Sequence, residues 1–203
     1  TLKYLQAQTN PHFLFNTLNA GAQLAMMEGA DRTYDYIQKV AQFYRYNMKK
    51  SEETVTVADE VEMVDSYIYI LNVRFAGDIH YEKHIDESLL HTEMPGMILQ
   101  PIVENCVNHG IREMGDRGVI RLSLYGEDGQ VCISVKDNGV GMSAEIIEKV
   151  LSGTYRDEDM ASGGNGVGMD NVISRMRLFT GNENVMTVKS DGEGMGTEVC
   201  IYL

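Results

Sequence analysis

Two runs near the middle of the chain, VIRLSLYG (119–126) and QVCISVKD (130–137), constrain its fold more than any other feature. Apolar and polar residues alternate along both, the period of strands with one buried face. Only Glu127, Asp128 and Gly129 lie between them. Asp-Gly between alternating runs is a hairpin signal, because the tight turn needs residues that accept a left-handed backbone. IHYEKHI (79–85) also alternates, and VMTVKS (185–190) and TEVCIYL (197–203) end the chain as two more strands around a glycine-rich turn. Strands joined mostly by hairpins, with helical segments between them, predict an α+β sandwich with helices on one face of a mixed sheet.

The first 50 residues carry no such alternation. Leu14, Leu18, Ala22 and Ala25 form one stripe at helical spacing, and Gly29 offers a stop. Asp31 then reads as the N-cap of a second helix with Ile37, Val40, Tyr44 and Met48 on one face. Such a helical hairpin has too little to bury alone, so pairing with a second copy into a dimerising four-helix bundle is expected. The polar KKSEET (49–54) breaks the pattern, which predicts a helical unit over 1–52 and the sandwich over 53–203. Within the second unit Val61, Val64, Ile68, Leu71 and Phe75 mark one helix. GMILQPIVENCVNHGI (96–111) reads as a mostly buried helix, and residues 143–151 and 168–179 as two more.

A formal net charge of -13 argues against a nucleic-acid-binding surface, where cationic contact with phosphate dominates. Cys106, Cys132 and Cys200 stand singly in apolar runs and read as reduced core residues rather than a disulfide frame or zinc site. No apolar run approaches the roughly 20 residues that span a bilayer. The chain opens without a methionine and already in a helical pattern, so it is expected to be a piece of a longer protein. His80 and His84, on the polar side of a strand, and His91, in a loop, are expected to be solvated.

Two glycine clusters and one helix carry the chemistry. DNGVGM (137–142) follows a strand and GGNGVGMDN (163–171) precedes a helix; glycines there let backbone N–H groups approach an anion, and a helix start favours phosphate. A glycine-rich turn alone does not establish such a site, and this one fits neither the Rossmann nor the Walker pattern. Asp137, at the end of a strand, is costly to bury without a donor, for which the exocyclic amine of adenine is suitable; a turn-forming Asp is the plainer reading. In ENCVNH (104–109), Asn105, Asn108 and His109 fall on one face of a helix at i, i+3 and i+4. Amide oxygens there can ligate Mg²⁺, or the residues can form a solvated helix edge.

Helix-borne Asn, Asp-x-Gly-x-Gly and Gly-x-Gly-x-Gly, in this order, resemble the GHKL ATP-binding superfamily and, within it, the sensor histidine kinases. LQPIVENCVNHG resembles their N box, DNGVGM their first glycine box and GNGVGM their second. NPHFLFNTLN resembles the phosphoacceptor box of the LytS/YesM-like group, and DNVISRMRLFTG (170–181) and GEGMGTEVCIYL (192–203) its usual close. The resemblance covers nearly the whole chain.

It implies ATP-dependent phosphorylation of His12 on an imidazole nitrogen, then transfer to an aspartate of a response regulator. Asn105 would hold Mg²⁺ and Asp137 would receive the adenine amine. Gly139 and Gly141 would shape the base pocket, and Thr197 would support it from the last hairpin. Gly164, Gly166 and Gly168 would line the phosphate side and hinge a lid over roughly 143–165, poorly ordered without nucleotide; Asn108, His109 and Met169 complete the cofactor-binding set. Many of these kinases follow the phosphoacceptor with an acidic residue, a candidate general base; here that position is Phe13, and Glu104 is the candidate substitute. Asn16 would orient the imidazole or position a water for dephosphorylating the partner, while Cys106 reads as packing. The resemblance also favours one helix running from LKYLQAQ through His12, bent at Pro11 where a backbone hydrogen bond is lost, rather than a start with Asn10 as N-cap. It places the chain at the cytoplasmic face of a membrane sensor, as a homodimer through the N-terminal helices, reaching the membrane only through upstream segments. The alternatives are a superfamily ATPase driving a conformational clamp, a nucleotide-binding scaffold without kinase activity, and a phosphatase acting through Asn16.

Overall fold

The computed structural model describes residues 11–49, 54–75, 77–111, 114–152, 154 and 167–203. Helices α1 (Pro11–Met27) and α2 (Asp31–Lys49) form the helical hairpin. Its turn closes α1 with two backbone bonds, Ala30 N–H to Ala25 O (2.8 Å) and Gly29 N–H to Met26 O (3.1 Å). This is the Schellman pattern, and it needs the left-handed φ of 68° that Gly29 adopts. The Thr33 and Tyr34 amides both donate to Ala30 O, so Ala30 begins α2. Asp31, expected as the cap, is instead the first-turn acid, where it complements the helix dipole. The expected apolar face of α2 is split: Ile37 and Val40 are half-buried while Tyr44 and Met48 are exposed. Another side of α2, bearing Gln42, Phe43 and Tyr46, meets the next helix instead. The bend expected over 5–16 and the Asn10 cap lie outside the described residues.

Strand β1 (Thr54–Thr56) leads into α3 (Val57–Arg74) through a capping box, in which Thr56 Oγ1 accepts from the Asp59 N–H and Asp59 Oδ2 from the Thr56 N–H. Val61, Val64, Ile68 and Leu71 are buried as their spacing predicts, while Phe75 falls just past the helix end. β1 pairs antiparallel with β3 (Glu93–Pro95), a small sheet that sequence pattern does not announce because three residues carry no period.

The main sheet contains β2 (Ile79–Ile85), β4 (Gly118–Glu127), β5 (Gln130–Asp137), β6 (Met186–Lys189) and β7 (Thr197–Tyr202) in the order β2-β4-β5-β7-β6. β2 runs parallel to β4 and the other pairs are antiparallel, so the sheet is mixed. The β4–β5 hairpin turns through Asp128 (φ 51°) and Gly129 (φ 81°), with Glu127 opposite Gln130. The strand period sends Ile120, Leu122, Leu124, Ile133, Val135, Val199 and Ile201 to one face, all buried in a single core with apolar residues of the helices. Those helices are α3, α4 (Leu99–Asn105), α5 (Ala144–Ser152) and α6 (Val167–Thr180). The three cysteines are free and buried, as expected, but Cys132 and Cys200 lie on the sheet face away from this core, with Cys200 Sγ 3.7 Å from the Tyr125 hydroxyl. Only Cys106 packs in the core. His80, His84 and His91 are exposed.

The long helix expected over 96–111 begins later and changes character. Met97 has a left-handed φ of 58°, α4 starts at Leu99, and from Cys106 to Ile111 the chain continues as a π-helical stretch. Such wide turns recur at functional sites.

Candidate functional site

Asp137 ends β5 in phase with Ile133 and Val135, so the alternation that buries the aliphatic side chains also buries its carboxylate, to 4% exposure. A carboxylate so placed needs donors. The Gly139 N–H donates to Asp137 Oδ1 (2.8 Å). Burial pushes Asp137 above the usual carboxylate range, and the Gly139 amide, the Cys106 thiol and the Thr197 amide offset part of that rise. Thr197 stands opposite Asp137 in the β5–β7 pairing and is itself buried.

The walls around Asp137 are main chain. A Cβ on Gly110 would lie 2.9 Å from the Asp137 carboxyl carbon, and one on Gly139 would overlap the Gly110 carbonyl. The Val140 N–H donates to that same carbonyl (3.1 Å), which clamps the π-helical stretch against the first glycine box. Gly141 needs its positive φ of 72°, and a Cβ there would overlap Gly192 O. Ser190 Oγ accepts from the Met142 N–H (3.0 Å) and donates to Gly196 O (2.6 Å). Asn138 accepts from the Val119 N–H (2.8 Å) and donates to Arg117 O (2.9 Å). Three segments, 106–111, 137–142 and 190–197, therefore close on one carboxylate. Neither Gly110 nor Ser190 stands out as a site residue in sequence; their parts depend on tertiary neighbours.

Asn105 is the half-buried last residue of α4, directly before the π-helical stretch. His109 is half-buried and its Nδ1 is buried without a partner among the described residues. Asn108 is exposed and lines a separate cleft of about 190 Å³ with Arg74, Phe75, Asp78 and Ile79, so the structure opens it toward the end of α3. Glu104 is half-buried and accepts from Gln100 Nε2 (2.7 Å). It also faces Tyr67, whose hydroxyl is pushed up to about 12 by burial and then by the Glu104 charge. Gly168, in the first turn of α6, sits where a Cβ would be 3.4 Å from Pro101 Cβ, which brings the end of the second glycine box onto α4. Met169 is buried beside it. Gly164, Gly166 and residues 155–165 of the expected lid lie outside the described residues; the preceding stretch is α5, anchored by buried Val150.

His12 is exposed on the first turn of α1, and the Asn16 side chain approaches its Nδ1 to 3.2 Å. Phe13 beside it is 70% exposed. The arrangement thus offers a buried acceptor in a slot lined by backbone, which fits an aromatic base with an amino group. It also offers an amide oxygen at Asn105, a hard donor of the kind that shares Mg²⁺ with phosphates, and an exposed imidazole on a separate helix.

Residues 1–79 match the family model described as histidine kinase, and residues 95–203 match the histidine kinase-, DNA gyrase B- and HSP90-like ATPase model. The chain is 30% identical over 202 residues to the sensor histidine kinase YesM of Bacillus subtilis, covering 100% of this chain and 33% of that protein. It is 30% identical over 194 residues to the sensor protein LytS of Oceanobacillus iheyensis, covering 95% and 33%. The chain therefore spans about a third of the length of these curated relatives. The catalytic domain of the histidine kinase ThkA superposes with a TM-score of 0.57 at 16% identity, covering 74% of this chain and 93% of that one, a likeness of fold.

Proposed function

This chain belongs to the histidine kinase-, DNA gyrase B- and HSP90-like ATPase family and, within it, to the sensor histidine kinases of the LytS/YesM-like group, and we propose that it is the kinase core of a two-component sensor. Its reaction is ATP-dependent phosphorylation of His12, followed by transfer to an aspartate of a response regulator. The observation that carries this reading is the buried, glycine-walled Asp137 carboxylate in the same chain as an imidazole exposed on a helical hairpin. We divide the chain after residue 52, into a dimerising phosphoacceptor hairpin and an ATP-binding unit.

In this reading Asp137 accepts from the adenine amine, with Thr197, Gly139 and Gly141 shaping the slot. The missing Cβ atoms at Gly110 and Gly139 let the main chain close against Asp137 and against itself, which builds the wall of the slot. Asn105 presents its amide oxygen to Mg²⁺, and His109, Gly168 and Met169, with Gly164 and Gly166, form the phosphate end. ATP supplies the terminal phosphoryl group, and Mg²⁺ neutralises charge on the phosphates. His12 attacks the terminal phosphorus through its unprotonated ring nitrogen, the bond to ADP breaks and ADP leaves, and the proton on the other ring nitrogen, the one beside Asn16, passes to a base for which Glu104 is the candidate. In the parent sensor the chain sits at the cytoplasmic face of a membrane and reaches it through upstream segments; no described helix is long and apolar enough to cross a bilayer.

The test is incubation with γ-labelled ATP and Mg²⁺, comparing the wild type with His12→Gln and Asn105→Ala. Acid-labile, base-stable label lost in both variants is the expected result. Label that persists in His12→Gln overturns the phosphoacceptor assignment, and ATP turnover that continues unlabelled in that variant favours a conformational ATPase.

A further inference from the structure

Glu60 is wholly buried in the first turn of α3, and no step above uses it. Its carboxylate accepts from the Met97 N–H at Oε1 (2.5 Å) and from the Ile98 (2.8 Å) and Leu99 (2.7 Å) N–H groups at Oε2. These three consecutive amides lead into α4, which starts at Leu99. Ile98 offers no side-chain cap of its own, and Met97 holds a left-handed backbone that a side chain disfavours. Glu60 therefore supplies, from a neighbouring helix, the cap that α4 lacks, where a negative charge suits the helix dipole. A fourth donor, the Tyr46 hydroxyl, reaches Oε1 from α2 of the hairpin. Around it the same contact is reinforced by Gln42 Nε2 donating to Glu62 Oε1 (2.6 Å) and by Phe43 stacked on Tyr67.

We propose that Glu60 is a positioning residue for Asn105 and Glu104, and that Tyr46 is the hairpin's hold on it. The proposal rests on the reading of Asn105 as the Mg²⁺ residue. α4 runs only from Leu99 to Asn105, about 9 Å at the usual helical rise, so a shift of its first amides is carried to its last residue with little to absorb it. Withdrawing the Tyr46 hydroxyl leaves a buried carboxylate one donor short, and the three amides must then readjust. The position of the phosphoacceptor hairpin is thereby coupled to the metal end of the nucleotide site through one side chain.

The experiment uses the full chain with Tyr46→Phe and Glu60→Gln. A fluorescent ATP analogue is titrated with and without Mg²⁺, and labelling of His12 is measured at saturating ATP. In Tyr46→Phe the Mg²⁺ concentration for half-maximal effect should rise, and the saturating labelling rate fall, each about threefold to tenfold, the part of one hydrogen bond to a charged group that reaches Asn105 through α4. Mg²⁺-free affinity should stay at the wild-type level, since Asp137 is untouched. Glu60→Gln should move both quantities further in the same direction; if it does not fold, Tyr46→Phe alone decides. Wild-type Mg²⁺ dependence and wild-type saturating rate in Tyr46→Phe, whatever its melting temperature, overturn the proposal. The Mg²⁺ shift is also read in a His12→Gln background. If it survives there while wild-type labelling proves absent, the kinase reading fails and Glu60 keeps its role; if the wild type binds without Mg²⁺ dependence, both fail.

Discussion

The surroundings of Asp137 and those of His12 are built on opposite principles. Around Asp137 the chain meets itself through main chain: Gly110, Gly139, Gly141 and Gly196 each stand where a side chain would strike the backbone or the carboxyl group. Around His12 the pieces are side chains on an open helix, with Phe13 70%, Leu24 59%, Met26 58% and Met27 80% exposed along α1. Recognition of a small flat ligand gains from a slot that costs no reorganisation to enter. A histidine that takes and passes on a phosphoryl group, the role proposed for His12, must instead reach two different partners in turn, which favours an accessible group on an open surface.

The comparison can be broken at its rigid end first. Gly139→Ala drives a Cβ into the Gly110 carbonyl; backbone against backbone cannot yield as a flexible side chain would, so a loss of about 2–4 kcal/mol of stability is expected. Nucleotide affinity should fall below detection, and urea unfolding with analogue titration checks both. A variant with wild-type affinity would show that the slot is softer than its geometry implies. At the open end, Leu24→Ser combined with Met27→Ser should leave the stability of the separated chain within about 0.5 kcal/mol. The dissociation constant of the proposed dimer should nevertheless rise by at least about 100-fold, because two apolar side chains per copy are lost and each contributes roughly 1.5–3 kcal/mol when buried on pairing. Sedimentation equilibrium reads that constant, and an unchanged value places the pairing face elsewhere.

A gentler probe of the rigid end is pH. Burial raises Asp137 above the ordinary carboxylate value of about 3.9. Adenine binding favours the ionised form, so affinity should begin to fall at a higher pH than for a surface carboxylate, approaching a tenfold loss per unit below the raised pKa. The nucleotide-free protein has the opposite sign: a raised folded pKa stabilises it below the unfolded value, and that contribution is lost as pH rises through the folded one. Asp137→Asn should flatten both profiles, and an unchanged affinity profile in that variant would remove Asp137 from the base pocket.

Much of this contrast is legible in the sequence, for reasons that are local. The period of two in QVCISVKD is enough by itself to put Asp137 on the buried face, and Asp128-Gly129 specifies the turn that pairs its strand. Gly29 closes α1 by the same local rule. Other features escape because their causes lie far away along the chain. Glu60 looks like an ordinary first-turn acid until α4 arrives 39 residues later to need a cap. Gly110 looks like a helix stop until Asp137 occupies the space its Cβ would take. Asn108, expected beside Asn105 and His109, opens into another cleft at the π-helical stretch, and a wider turn has no single-residue signature.

The smallest expected effect tests whether the open end has any order of its own. Asn16 lies one helical turn from His12, with an amide atom 3.2 Å from Nδ1. An amide presents either a donor or an acceptor by turning over, so the contact alone leaves the tautomer open. If the amide oxygen accepts from Nδ1–H, the lone pair lies on Nε2, which is then the nucleophile; if the amide N–H donates, Nδ1 is occupied and Nε2 carries the proton. The first arrangement suits attack through Nε2. Asn16→Ala should then slow labelling about twofold to tenfold, the scale of one hydrogen bond, with nucleotide affinity unchanged. Asn16→Asp retains an acceptor without a donor and should restore most of the rate, whereas in the second arrangement it should be no better than alanine. A full rate in Asn16→Ala would mean that Asn16 has no part in presenting His12, and the contrast with the preorganised Asp137 slot would be sharper still.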